Sequence, residues 1–233
     1  MDKLLRGLGD FIRRKRPGLR GTFERLAKGQ NPVALVLACS DSRVVPSLLL
    51  GADPGDIFEV RTVGNIIAPA GTGGGASVGD ESEAAAIEYA LLGLDIRHLV
   101  VMGHSGCGAM KAVLTGKSPN GASNLERWLV HAQGAREKLE RPRSIDRALP
   151  PVDQLSQANV LQQLEHVRSY ALVTERLGRG EIELLGTWFD VERAELHVFR
   201  VTEGRFVRVD EEMIARELAK RAAATRPTTN GTA

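Results

Sequence analysis

The stretch "VALVLACSDSR" (residues 33–43) decides the fold. Val33–Ala38 is a continuous apolar run of strand length, as expected of a parallel strand buried on both faces. It hands over within five residues to a thiol, a carboxylate and a guanidinium. Buried strands seldom end on three such groups without a chemical reason. A second stretch, "HLVVMGHSGCGAM" (98–110), repeats the arrangement: a short apolar strand, then His104, then Cys107 three residues later. Between and beyond these strands lie segments of helical spacing. Residues 80–92 read as a helix with Asp80 and Glu83 at its capped start, and further helices are expected near 109–114, 124–139, 153–177 and 211–224. "PGDIFEV" (54–60) reads as a turn and strand, while "IELLGTWF" (182–189) and "ELHVFRV" (195–201) read as two strands joined by a tight turn. Strands alternating with helices give an α/β fold with a mainly parallel central sheet flanked by helices and an antiparallel edge strand.

In open parallel sheets, sites form at the carboxyl ends of strands, near the point where strand order reverses. Cys39 and the His104–Cys107 pair are both expected on that edge. By residue type and spacing alone, several readings stand together. Two thiolates and an imidazole suit a borderline metal such as zinc. Two cysteines can pair as a disulfide, or act in redox thiol chemistry. A cysteine beside a histidine can be a nucleophile and its base. Taken singly, Cys39 reads as a small buried hydrophobe and His104 as a packing residue.

The remaining sequence bounds the answer. The 233 residues suit one domain, and 42 % hydrophobic content allows a large core that is mainly aliphatic, aromatics being only 4 %. A formal charge of +2 argues against an electrostatic nucleic-acid binder. No apolar run reaches about 18 residues, so no membrane span is expected. With no secretory-type apolar core at the start and only two cysteines, a reducing, cytoplasmic location is expected. "GTGGGASVG" (71–79) lacks the GK[ST] ending of a phosphate loop and reads as a plain loop. Residues 1–29 read as a helical arm: Leu4, Leu5, Leu8, Phe11 and Ile12 form an apolar stripe backed by Arg6, Arg13, Arg14 and Lys15, Pro17–Gly18 interrupts it, and a second short helix follows. Such a stripe needs cover, which predicts a homodimer, or a dimer of dimers. The α/β domain spans 30–224, and 225–233 reads as a disordered tail.

"CSDSR" followed about sixty residues later by "HSGCGAMK" resembles the β-class carbonic anhydrases, in their plant-like and cyanobacterial-like branch. "PGDIFEVRTVGNII", "AAAIEYAL", "NVLQQLEHVRSY" and "ELLGTWFD" extend the resemblance over most of the chain. It implies one zinc ion held by Cys39, His104 and Cys107, with solvent in the fourth position, and an Asp41–Arg43 dyad. It implies reversible hydration of carbon dioxide to bicarbonate. It also implies substrate contacts from Gln30, Phe58, Val63, Tyr89 and the backbone N–H of Gly108, partly across a dimer interface. Two features depart from the pattern. Thr62 stands where the family has an asparagine. Of the tryptophan, arginine and tyrosine that build a second bicarbonate site in one bacterial branch, only the arginine, Arg61, is matched, Val36 and Phe189 taking the other places. The same metal site could also attack carbonyl sulfide or carbon disulfide, and a silent zinc-containing assembly subunit is the non-catalytic alternative.

Overall fold

A computed structural model describes residues 1–79, 81–139 and 144–224. The expected cap at Asp80 and the expected tail at 225–233 lie outside the described residues. The chain opens with helices α1 (Asp2–Asp10) and α2 (Arg16–Leu26), followed by strand β1 (Ala34–Cys39), a short helix α3 (Pro46–Leu49) and β2 (Ile57–Thr62). Helix α4 (Ser82–Glu88) leads to β3 (His98–His104), then α5 (Gly108–Thr115), α6 (Ser123–Leu129), α7 (Ala135–Lys138), α8 (Pro151–Ser169) and α9 (Ala171–Gly178). Strands β4 (Glu183–Asp190), β5 (Glu195–Arg200) and β6 (Arg205–Arg208) precede the last helix, α10 (Glu211–Ala224).

The six strands form one sheet in the order β2-β1-β3-β4-β5-β6. The first four are parallel, and β5 and β6 are antiparallel additions. Chain order reverses between β1 and β3, so the carboxyl ends of these adjacent strands define the switch point where α/β folds place their sites. Alternation along β1 feeds two cores. Leu35 and Leu37 join Leu99 and Val101 on one face, and Val36 and Ala38 join Val100 and Met102 on the other. Each such buried leucine, valine or methionine side chain contributes about 1.5–3 kcal/mol, which pins the register and with it the positions of Cys39 and His104.

Several elements differ from the expectation. Pro17 does not break the arm. The chain widens into a π turn over Phe11–Lys15, in which Arg16 N–H reaches back to Phe11 O, and Pro17 sits in the first turn of α2, where its missing N–H is tolerated. The stretch 124–139 is two short helices with a 3₁₀ turn at Val130–Ala132 between them, and 153–177 is broken at extended Tyr170. Glu83 lies buried in the first turn of α4, whose first turn shows no side-chain cap. Both β1 and β3 run on to include Cys39 and His104 themselves. The edge strand β6 was not expected, because it is only four residues long, Phe206 and Val207 between two arginines, just past a Glu203–Gly204 turn.

Candidate metal centre

Cys39 ends β1 and His104 ends β3, next to it in the sheet, while Cys107 caps α5 from an extended backbone. Their ligand atoms all lie within 4.8 Å of one another and all three residues are buried. Among the described residues they form the one cluster able to hold a metal. Both cysteines are free thiols, so the disulfide alternative does not apply.

The residues fit a metal on three counts. His104 is 0 % exposed, and its Nδ1 lies 2.9 Å from the Ser105 carbonyl. A carbonyl only accepts, so Nδ1 carries the proton and Nε2 keeps its lone pair. That Nε2 is buried with no partner among the described residues; an orphaned buried acceptor of this kind calls for a cation. Finally, the two sulfurs cannot both be anionic at such range without one. The Cys107 thiol, hydrogen-bonded to Cys39 and buried, is pushed up, while Cys39 is drawn down to about 4, chiefly by that same bond and despite its burial. A dication between them would remove the conflict.

The carboxylate beside the cluster is held back from it. Arg43 Nε and Nη2 donate to the two oxygens of Asp41 at 2.9 and 2.7 Å, and the Arg43 backbone N–H adds a third bond at 3.0 Å. The guanidinium keeps the Asp41 carboxyl well below the usual range, so it is ionised throughout neutral pH. Asp41 Oδ2 nevertheless lies only 3.8 Å from His104 Nε2. The carboxylate therefore borders the space where a metal would sit while both its oxygens are occupied by arginine.

Sequence reasoning missed the groups that fix these loops. Arg61 donates to the carbonyls of Cys39, Asp41 and Val44 at 3.1, 2.8 and 2.6 Å, so it clamps the backbone of the CSDSR loop. The polar face of α8 does the same for the other loops. Asp153 accepts from Gly106 N–H at 2.6 Å, Ser156 donates to the His104 carbonyl at 2.7 Å, and Asn159 donates to the Gly64 carbonyl at 2.9 Å. Gln163 accepts from Ile67 N–H at 2.9 Å. Read by pattern, these residues look like a solvated helix face; their signal was the i, i+3, i+6, i+10 spacing on a helix with apolar residues on its other sides. Trp128 donates its indole N–H to the Val63 carbonyl at 2.8 Å. Thr62, in place of the family's asparagine, closes its turn by donating to the Ile66 carbonyl at 2.8 Å.

The expected substrate contacts fall into two groups. Val63 follows β2 on the cluster's edge of the sheet and is 45 % exposed, and Gly108 begins α5 beside Cys107, where an added Cβ would meet nothing within 4 Å. Phe58 and Tyr89, their rings 5.9 Å apart, lie at the opposite edge, near the start of β2 and β3. Gln30 precedes β1, whose six residues carry the chain about 17 Å before reaching Cys39. A single chain therefore does not bring Gln30, Phe58 and Tyr89 to its own metal cluster, and Tyr89 is left 52 % exposed.

A switch-point site of two thiols and an imidazole able to hold a metal, with an ionised carboxylate latched beside it, is the kind of centre found in α/β metalloenzymes. Residues 34–196 match the carbonic anhydrase family. The chain is 37 % identical over 212 residues to a carbonic anhydrase of Synechococcus elongatus, covering 91 % of this chain and 76 % of that one. It is 35 % identical over 211 residues to one of Pseudomonas aeruginosa, covering 91 % and 93 %. The fold superposes on the β-carbonic anhydrase CcaA with a TM-score of 0.79 at 34 % identity, over 90 % of this chain and 99 % of that one. A tetrameric β-carbonic anhydrase of Sordaria macrospora gives 0.69 at 27 % identity, over 84 % and 95 %. The chain belongs to the β-carbonic anhydrases, metal-dependent lyases that interconvert carbon dioxide and bicarbonate. No helix among the described residues is long and apolar enough to cross a membrane.

Proposed function

We propose that the protein hydrates carbon dioxide reversibly at a zinc ion held by Cys39, His104 and Cys107, within a homodimer whose pockets are shared between chains. The observation that carries this reading is the buried, unpartnered Nε2 of His104 facing two sulfurs, with Asp41 latched 3.8 Å away. Two soft sulfurs and one imidazole favour zinc over the harder dications. When bound, the metal acts as a Lewis acid that lets water give up a proton near neutral pH and so supplies the hydroxide nucleophile.

The chain's own groups then do the positioning. Asp41, ionised at working pH, accepts the nucleophile's remaining proton in a hydrogen bond, which leaves a lone pair facing the substrate carbon. Arg43 keeps that carboxylate ionised and away from the metal. Val63 supplies apolar wall for an uncharged gas, and the Gly108 N–H, at the opening of α5, donates to the oxygen that becomes negative. Bicarbonate leaves in exchange for water, and the released proton passes to buffer.

The pocket is completed by a second copy. Gln30, Phe58 and Tyr89 stand at the far edge of their own sheet, and the arm leaves Leu4 72 % exposed, with Leu5, Leu8 and Ile12 beside it. An arm docked on a partner covers that stripe and delivers the partner's far edge to the site. The tetrameric relative is consistent with further pairing of dimers. We place the activity in a reducing compartment such as the cytoplasm, where Cys39 and Cys107 stay free thiols able to hold a metal.

Metal analysis and stopped-flow carbon dioxide hydration on one sample test the reading. One zinc per chain with turnover is expected, Cys39→Ala losing both and Asp41→Ala keeping metal with only a measurable residue of turnover. Zinc-loaded protein that fails on carbon dioxide but consumes carbonyl sulfide or carbon disulfide would overturn the choice of substrate.

A further inference from the structure

The Asp41–Arg43 pair is itself held by a residue from another part of the fold. Arg43 is half-exposed, and an arginine on a short surface loop ordinarily samples many rotamers. Here its Nη2, besides bonding Asp41, donates to the Gly106 carbonyl at 3.0 Å. Gly106 is in the left-handed conformation, at φ +62°, so its N–H and C=O point in directions that an ordinary turn would not supply. Its N–H is taken by Asp153 Oδ1 at 2.6 Å, a short bond to a charged acceptor. Asp153 lies in the first turn of α8, where an acidic side chain ordinarily serves its own helix's free amides. Instead, α8 shows no side-chain cap, and the carboxylate reaches out to the loop.

We infer that Asp153 is a positioning residue of the hydration reaction: through Gly106 it fixes the Arg43 guanidinium plane, and with it the Asp41 carboxylate. Both polar groups of Gly106 are engaged, N–H by Asp153 and C=O by Arg43. Freeing the N–H lets the residue rotate about φ and ψ, and the carbonyl then leaves Arg43. The lower end of this chain of bonds is anchored by the long helix α8, so the latch takes its rigidity from the core rather than from its own exposed loop. This role rests on the Asp41–Arg43 latch acting in catalysis.

The test is a double-mutant cycle on the zinc-loaded full chain, with nuclear magnetic resonance of the same proteins. Asp153→Ala is expected to lower kcat about tenfold with little change in KM, the signature of lost alignment rather than lost binding. In an Asp41→Ala background the same substitution is expected to cost nothing further, because the group it positions is gone. Asp153→Asn, which keeps an acceptor oxygen, should recover most of the loss. In the unsubstituted protein the Gly106 amide proton should lie far downfield and the Arg43 Nε–H should exchange slowly with solvent. Asp153→Ala should move the first upfield and speed the second, with metal content unchanged. Equal losses in both backgrounds would show a general structural role and overturn the inference. An Arg43 Nε–H that exchanges freely in the unsubstituted protein would overturn it even if Asp153→Ala fails to fold. If instead Asp41→Ala alone leaves turnover intact, the latch reading fails, and that outcome is separate from any result at Asp153.

Discussion

Replacing Asn159 by alanine should loosen the active-site loop from a distance. Asn159 is 0 % exposed and spans two partners: its Nδ2 donates to the Gly64 carbonyl at 2.9 Å, and its Oδ1 accepts from Gln163 Nε2 at 2.9 Å. Alanine leaves the Gly64 carbonyl without this donor, and Gln163 Nε2 with only a 3.5 Å contact to the His131 carbonyl. Each buried polar group so abandoned costs about 1–3 kcal/mol, and the small void adds to it, for a total of about 3 kcal/mol. At roughly 2–4 °C per kcal/mol for a chain of this size, Tm should fall by about 6–12 °C at fixed protein concentration. The Gly64 carbonyl matters for function because it follows Val63. Gly64 and Asn65 both sit at positive φ, +76° and +47°, so the loop makes a left-handed turn that the α8 bond helps to hold in place. Turnover should therefore drop by about tenfold with metal retained. Asn159→Asp has nearly the same size but offers only acceptors, and should be at least as damaging. Thermal and urea unfolding, with stopped-flow turnover on the same samples, decide the matter. If both variants stay within about 0.5 kcal/mol of the parent, as at a surface site, the reasoning about the α8 network is wrong.

The rest of the structure yields further expectations. Gly64→Ala should destabilise by more than about 1 kcal/mol, since its φ is positive and a Cβ there would lie 2.7 Å from that of Ala109; unchanged urea unfolding would refute it. His166 is half-buried as the neutral ring, its Nδ1 donating to the Ile67 carbonyl at 2.6 Å, and that partial burial holds its pKa down. The unfolded chain protonates near pH 6.5, so stability is full above that value and is lost as pH falls below it. His166→Gln should flatten that decline, leaving the share due to His131, also lowered by burial; urea midpoints measured at several pH values check this, and an undiminished slope would count against it. Leu4→Ser with Leu5→Ser and Leu8→Ser should give monomers in sedimentation that hold metal but turn over slowly. Persistent dimers would mean that the arm's apolar stripe is not the contact.

The sequence made legible what depends on local pattern. Val33–Ala38 and His98–Met102 read as buried strands from their length and apolar content, and ending them on Cys39 and His104 put the ligands on one sheet edge. Long-range geometry was harder to read. Asp153, Ser156, Asn159 and Gln163 have the polarity of a solvated face, and only the packing of α8 over the loops makes them tethers, the last three of them buried. Pro17 was a sound breaker signal, defeated by a π turn that no propensity scale registers. Strand β6 exists because β5 offers it an edge; its own four residues carry too little apolar content to announce it. Gln30, Phe58 and Tyr89 show the reverse case. Their roles came from a resemblance, and one chain's geometry sets them apart from the cluster, which makes the second copy part of the account.

X-ray absorption at the zinc edge, near neutral pH, on the parent protein and Asp41→Ala tests the central claim most directly. The account predicts two sulfur neighbours at about 2.3 Å with the remainder light atoms. It also predicts the same spectrum for the variant, because Arg43 holds Asp41 off the metal. Fewer than two sulfurs, or a light-atom shell that changes when the Asp41 carboxylate is removed, would contradict it.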